Sequence, residues 1–218
     1  MTLKLDTLLP AGLLCTQLLL SSTAWAQSTQ AHAGPVPGLS KVALTDATMR
    51  DLWLGHAFWV RAVVVETLRG NQAASAAAEG EAVANARQLA ASMEPFYGAP
   101  ASAKVFTLLA GHYAAVKEYL RATAANSAAG QDAARQAMVE NAEQIAVFLS
   151  GANPYLPVDA LRGMLLAHGG HHMQQIQQLA ERQYGKEAQT WGAMKSHMYG
   201  IADAMTLALA RQFPAKFE

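Results

Sequence analysis

Cysteine is almost missing: Cys15 is the only one in the whole chain. No disulfide can form within the chain, and neither a thiolate metal site nor a catalytic dyad built on several thiols is available. Charge is equally sparse, with 16 Lys+Arg against 16 Asp+Glu and no run of one sign. That balance leaves no electrostatic footprint for nucleic acid or an anionic lipid surface. Also lacking are a Gly-rich phosphate loop, a Gly-x-Ser-x-Gly elbow, an Asp-x-Asp pair and the alternating pattern of a strand that would carry them. Beyond Leu20 no apolar run is long enough to span a bilayer.

What stands at 1–26 is the layout of a secretory leader. Lys4 provides a positive start, Leu8 to Leu20 an apolar stretch, and Ala24-Trp25-Ala26 a small-residue cleavage site. Leu14 before Cys15 is too bulky for a lipoprotein site. Cleavage after Ala26 is expected, giving an exported, soluble, periplasmic product that starts at Gln27 and is still electrically neutral, because Lys4 and Asp6 leave together. Residues 27–45, with Gly34, Pro35, Pro37 and Gly38, read as a flexible lead-in. Residues 46–218 then suit one domain with a sizeable core.

Across that domain the apolar residues recur at helical spacing and alanine is abundant. The breakers divide it into six helices, 46–69, 78–94, 101–124, 131–150, 157–183 and 187–212. Gly70, the segment Pro95 to Pro100, Asn126 to Gly130, Gly151 to Pro157, Gly185 and Pro214 mark the ends. The alanine-rich stretch Ala73 to Ala78 could extend the second helix. The expected fold class is all-α, a six-helix bundle.

A 56-residue period runs through these helices. "LWLGH" ends at His56, "LLAGH" at His112 and "LLAH" at His168. "NARQLA" starts at Asn85, "NAEQIA" at Asn141 and "HMYGIA" at His197. Leu89, Ile145 and Ile201 follow at the same offset, as do Met93, Leu149 and Met205. The pattern predicts three tandem helical hairpins, each with a histidine in its first helix and Asn85, Asn141 or His197 in its second. Counting by three and four puts His112 in line with Leu109 and Val116, His56 with Val60, and His168 with Leu165, His172 and Ile176. All six recurrent polar residues lie near mid-helix, so a single buried polar layer is expected. Heights measured from the connections bring Asn85 level with His112 and Asn141 with His168; paired as hydrogen bonds, they would leave His197 to pair with His56 and close a ring of three hairpins.

Buried imidazoles must be hydrogen-bonded or metal-bound. Two readings follow for the layer. As a metal site it would use His56, His112, His168 and His197 around Zn or Cu, with His172 as a further candidate, and Asn85 and Asn141 would orient the imidazole N–H groups from behind. As a hydrogen-bond network it would serve a structural or small-ligand-binding module. A metal-dependent hydrolase with an open coordination position is a weaker third reading. Glu66, Glu118 and Asp203 fall off the histidine faces, which disfavours a di-iron carboxylate bundle. His171 is one step off its stripe; with His168, His172 and Met173 it could make a peripheral site, and the nearby Met194 and Met198 suit Cu(I). Arg61 and Lys117 occupy equivalent positions and could hold an anion or snorkel from the helix flank.

The segments "LWLGHAFWVR" (52–61), "PFYG" (95–98), "NAEQIAVFLSGANP" (141–154), "MLLAH" (164–168), "IAD" (201–203) and "QFPAKF" (212–217) resemble a family of small bacterial helical-bundle proteins, some of which carry a glycosyltransferase label. The resemblance implies a compact helical fold and matching positions at His56, Asn85, His112, Asn141, His168 and His197. It implies no particular reaction.

Overall fold

The computed structural model describes residues 40–218, so the leader and most of the expected lead-in lie outside the described residues. Six α-helices follow one another: α1 (Lys41–Leu68), α2 (Gln72–Tyr97), α3 (Ala99–Ala124), α4 (Ala128–Ala152), α5 (Val158–Ala180) and α6 (Tyr184–Gln212), with a short 3-10 turn at Pro214–Lys216. No strand occurs among the described residues, and none of their helices is long and apolar enough to cross a membrane.

Several boundaries differ from the sequence reading for local reasons. α1 starts at Lys41, so residues 41–45 are helix rather than lead-in; the Ser40 side chain caps it by accepting from the Ala43 N–H at 3.2 Å. α2 includes the alanine-rich stretch Ala73 to Ala78 and runs through Pro95. The proline gives up its own N–H bond, and the helix closes at Gly98, whose N–H donates to Glu94 O at 2.8 Å with φ +82°. Gly185, expected to end the fifth helix, lies in the first turn of α6. The chain reverses earlier, at Arg182.

Each helix packs against its neighbour in sequence, and α6 returns to pack on α1, closing the ring. α1, α3 and α5 also meet one another in the middle, which makes them the inner helices and α2, α4 and α6 the outer ones. The core is split in two along the bundle. One apolar cluster includes Trp53, Leu109, Ile145, Leu165, Met194 and Ile201; the other includes Val60, Val116, Leu120, Met138 and Ile176. On α1 and α3, His56 and His112 sit between a residue of the first cluster and one of the second. The histidine level therefore lies where the two apolar layers meet.

The three inner-to-outer turns share one geometry. Gly70, Asn126 and Arg182 all adopt positive φ, at 75°, 52° and 58°. The following N–H groups of Asn71, Ser127 and Gln183 reach back to Glu66, Ala122 and Gln178 carbonyls at 3.0, 2.9 and 2.7 Å. Asn71 and Ser127 then cap the next helix through their side chains, and Gln183 does not. The third turn is thus the least suited to its conformation, because a Cβ in the left-handed region costs free energy that glycine avoids. Arg182→Gly is expected to raise stability by about 0.5–1 kcal/mol in urea unfolding, whereas Gly70→Ala should lower it.

At the opposite end Tyr97 ties the elements together. Its hydroxyl donates to Gln212 Oε1 at 2.8 Å and accepts from Asn153 Nδ2 at 2.9 Å, while Gln212 Nε2 donates to Ala152 O at 2.8 Å. Phe96 packs on Phe213 and Phe217 with ring centroids 5.4 and 5.9 Å away. The segments PFYG, ANP and QFPAKF thus meet at one end of the bundle, remote from the histidines.

Candidate metal centre

Four histidines converge at the middle of the bundle. His56 comes from α1, His112 from α3, and His168 and His172 from successive turns of α5; they are 3, 5, 2 and 2 % exposed. One ring nitrogen from each lies within 4.8 Å of all the others. Ring centroids from His56 to His112, His168 and His172 are 5.5, 5.4 and 5.7 Å apart, and His112 to His168 is 5.0 Å. The tightest contact is His168 Nε2 to His172 Nε2 at 3.2 Å, in which one nitrogen donates and the other accepts.

Three other ring nitrogens are not so served. His56 Nε2, His112 Nε2 and His168 Nδ1 are buried with no hydrogen-bond partner. Each such atom costs about 1–3 kcal/mol unless something binds it. The electrostatics keep these rings neutral. Burial pushes His56 down to about 4, and burial followed by the proximity of His56 pushes His112 down to about 3. His168 and His172 lie well below the ordinary value, first from burial and then from neighbouring imidazoles. A neutral imidazole offers a lone pair, which is the state a metal requires. Tetrahedral Zn–N bonds of about 2.0–2.1 Å set nitrogen–nitrogen distances of about 3.3 Å, so pairs as far apart as the 4.8 Å limit have to close by about 1.5 Å. Four buried histidines this close could hold one metal ion.

The chain matches no protein-family model, no curated protein and no solved structure.

The polar layer differs from the sequence expectation in three ways. First, His197 is not in the four-nitrogen group. It is half-buried on α6, its ring 6.5 Å from that of His168, and its Nε2 lies 2.8 Å from Met164 O. Second, the expected pairs Asn85–His112, Asn141–His168 and His197–His56 do not form. Asn85 Nδ2 donates to Leu52 O at 3.0 Å and Asn141 Nδ2 to Leu108 O at 3.0 Å. These residues and His197 thus bond a carbonyl of the inner helix of their own hairpin, at the same separation along the chain in each case. Asn85 and Asn141 orient no imidazole, and their Oδ1 atoms are buried and unpartnered. Third, His172 is a full member of the cluster and not an accessory on the helix surface.

A signal for the second difference was in the sequence. Gly55 and Gly111 immediately precede two of the histidines, and a Cβ on either would meet the Asn85 or Asn141 amide nitrogen at 2.9 Å. Glycine lets the amide approach the inner helix. Gly111→Ala should push Asn141 off the Leu108 carbonyl and cost about 1–2 kcal/mol, read as a lower urea midpoint with unchanged helix content.

Sequence reasoning also missed a buried carboxylate. Glu187 on α6 is 3 % exposed and takes both Arg61 Nε and Nη2, at 2.6 and 2.7 Å, and Gln175 Nε2 at 2.9 Å. The Arg61 guanidinium holds its pKa below the ordinary carboxylate value. The pair ties α1, α5 and α6 together one to two turns beyond His56 and His172. Arg61 is therefore engaged rather than free for an anion, and so is Lys117, whose Nζ donates to Glu79 at 2.6 Å. Among the described residues no carboxylate joins the four-histidine group. Met194 and Met198 are buried in one apolar cluster and Met173 packs against the other, the positions of core-filling side chains.

Proposed function

We propose that His56, His112, His168 and His172 bind a single transition-metal ion, Zn2+ or copper, inside an exported helical bundle. The observation that carries this reading is that four buried imidazoles each bring one ring nitrogen within 4.8 Å of the others, while His56 Nε2 and His112 Nε2 have no hydrogen-bond partner. A closed hydrogen-bond network would have given His56 Nε2 and His112 Nε2 partners; within the cluster only the Nε2 atoms of His168 and His172 meet. Imidazole donors suit Zn2+ and copper, and four protein nitrogens fill a tetrahedral sphere. A filled sphere leaves no position for a substrate, which favours a holding or structural role for the ion over hydrolysis. Export rests on the leader-like residues 1–26, and the threefold hairpin ancestry on the recurrence in sequence, turns and carbonyl contacts.

Metal analysis of untagged protein, paired with thermal unfolding, tests the reading. One ion per chain is expected, with stabilisation of about 3–4 kcal/mol when free Zn2+ or Cu+ is 100–1,000 times Kd. Substoichiometric metal and no thermal shift with either ion would defeat it.

A further inference from the structure

The four proposed ligands are sealed from solvent, so an ion has to reach them through the protein. Two further imidazoles lie on one side of the cluster. His171 on α5 is half-buried, and its ring centroid is 5.5 Å from that of His197 on α6. His197 in turn lies almost parallel to His168, with 13° between planes and 6.5 Å between centroids. The rings form a series from the half-exposed surface of α5 and α6 to the buried group.

Only the third hairpin has this series. In the second hairpin the positions equivalent to His171 and His197 are Ala115 and Asn141, and in the first they are Trp59 and Asn85. Where Gly55 and Gly111 admit an asparagine amide, Ala167 stands opposite His197, and the longer imidazole reaches the Met164 carbonyl past it. A carbonyl only accepts, so His197 Nε2 carries the hydrogen and Nδ1 is left to take a metal.

We propose that His171 and His197 form an outer two-imidazole station that captures transition-metal ions and passes them to the buried cluster. This rests on the metal reading above. Two ligands with water in the remaining positions bind weakly and release readily, whereas four buried ligands hold the ion. The station therefore governs how fast metal enters and leaves the final occupancy unchanged.

Stopped-flow mixing of metal-free protein with Co2+ gives the test, since tetrahedral cobalt absorbs in the visible. His171→Gln and His197→Gln are each compared with the unaltered chain, with thermal unfolding as the check on folding. Uptake at least tenfold slower, with the same final absorbance, is expected for both. Uptake at the unaltered rate in both overturns the station while leaving the buried site intact. A loss of final absorbance also overturns it, because the residue would then belong to the resident site. No tetrahedral cobalt band in the unaltered chain defeats the metal reading itself. If His197→Gln does not fold, His171→Gln decides the matter, because its side chain is half-exposed and takes part in none of the hydrogen bonds that hold the bundle.

Discussion

Lowering the pH from 7.5 to 5 is expected to strip about 4 kcal/mol or more from the metal-free protein. The unfolded chain binds protons on histidine with a pKa of about 6.5. In the folded state His56 waits until about 4 and His112 until about 3. Depressed folded values mean that the unfolded state holds more protons at acid pH. Stability is then complete above pH 6.5 and falls as pH drops from there toward the folded values. At pH 5, well below the unfolded value, each ring accounts for a loss of about 2 kcal/mol. His168 and His172 are displaced in the same direction and add to the loss.

The pH window identifies the responsible groups. Glu143, Glu187 and Asp203 are held below the ordinary carboxylate range by Arg162, Arg61 and Arg50. Their contributions fail only below about pH 4.5, beneath the histidine window. Urea unfolding followed by tryptophan fluorescence at several pH values between 7.5 and 5 checks the expectation. A midpoint flat across that range would mean that the imidazoles are hydrated or already charged. Bound metal should move the transition to lower pH, because ligation competes with protonation for the same lone pairs.

His172→Val is expected to weaken metal binding more than about 100-fold, beyond what loss of a supporting contact costs in metal sites. It should change the stability of the metal-free protein by no more than about 1–2 kcal/mol, because burying valine in place of a polar ring offsets the lost partner of His168 Nε2. The residues 56 and 112 positions earlier, on the inner helices α3 and α1, are Val116 and Val60, both buried in the second apolar cluster. Valine therefore suits this inner-helix position, and the substitution removes a polar ring from an apolar layer. What disappears is the fourth imidazole and its 3.2 Å contact with His168. Competition titration with a zinc chelator measures the affinity, and urea unfolding the stability. An unchanged affinity would place the ion elsewhere or exclude His172 from its sphere.

The helical class and the burial of His56, His112 and His168 were legible because helical periodicity reports directly on which face meets the core. His172 lay on the same stripe and was legible as a candidate; its rank was not, since an i, i+4 histidine pair looks alike whether it faces water or a core. The partners of Asn85 and Asn141 were misassigned because each outer helix lies at matching height between two inner helices. Height alone cannot choose between them. Gly55 and Gly111 could have, since a missing Cβ marks where the amide comes close. His197 was grouped with the ligands on the strength of spacing, but its longer ring at that position meets Met164 O and stops short of the cluster. The Arg61–Glu187 pair joins residues 126 apart across the seam where α6 closes on α1, and no local pattern announces such a contact. Gly185 misled for a different reason: a helix tolerates glycine, and the left-handed residue that ended α5 was Arg182.

X-ray absorption at the zinc edge of fully loaded protein addresses the central claim most directly. A shell of four nitrogens at about 2.0 Å, with the multiple scattering of four imidazoles, is the predicted result. A shell dominated by oxygen, or one with two or fewer imidazoles, would contradict a metal centre built by His56, His112, His168 and His172.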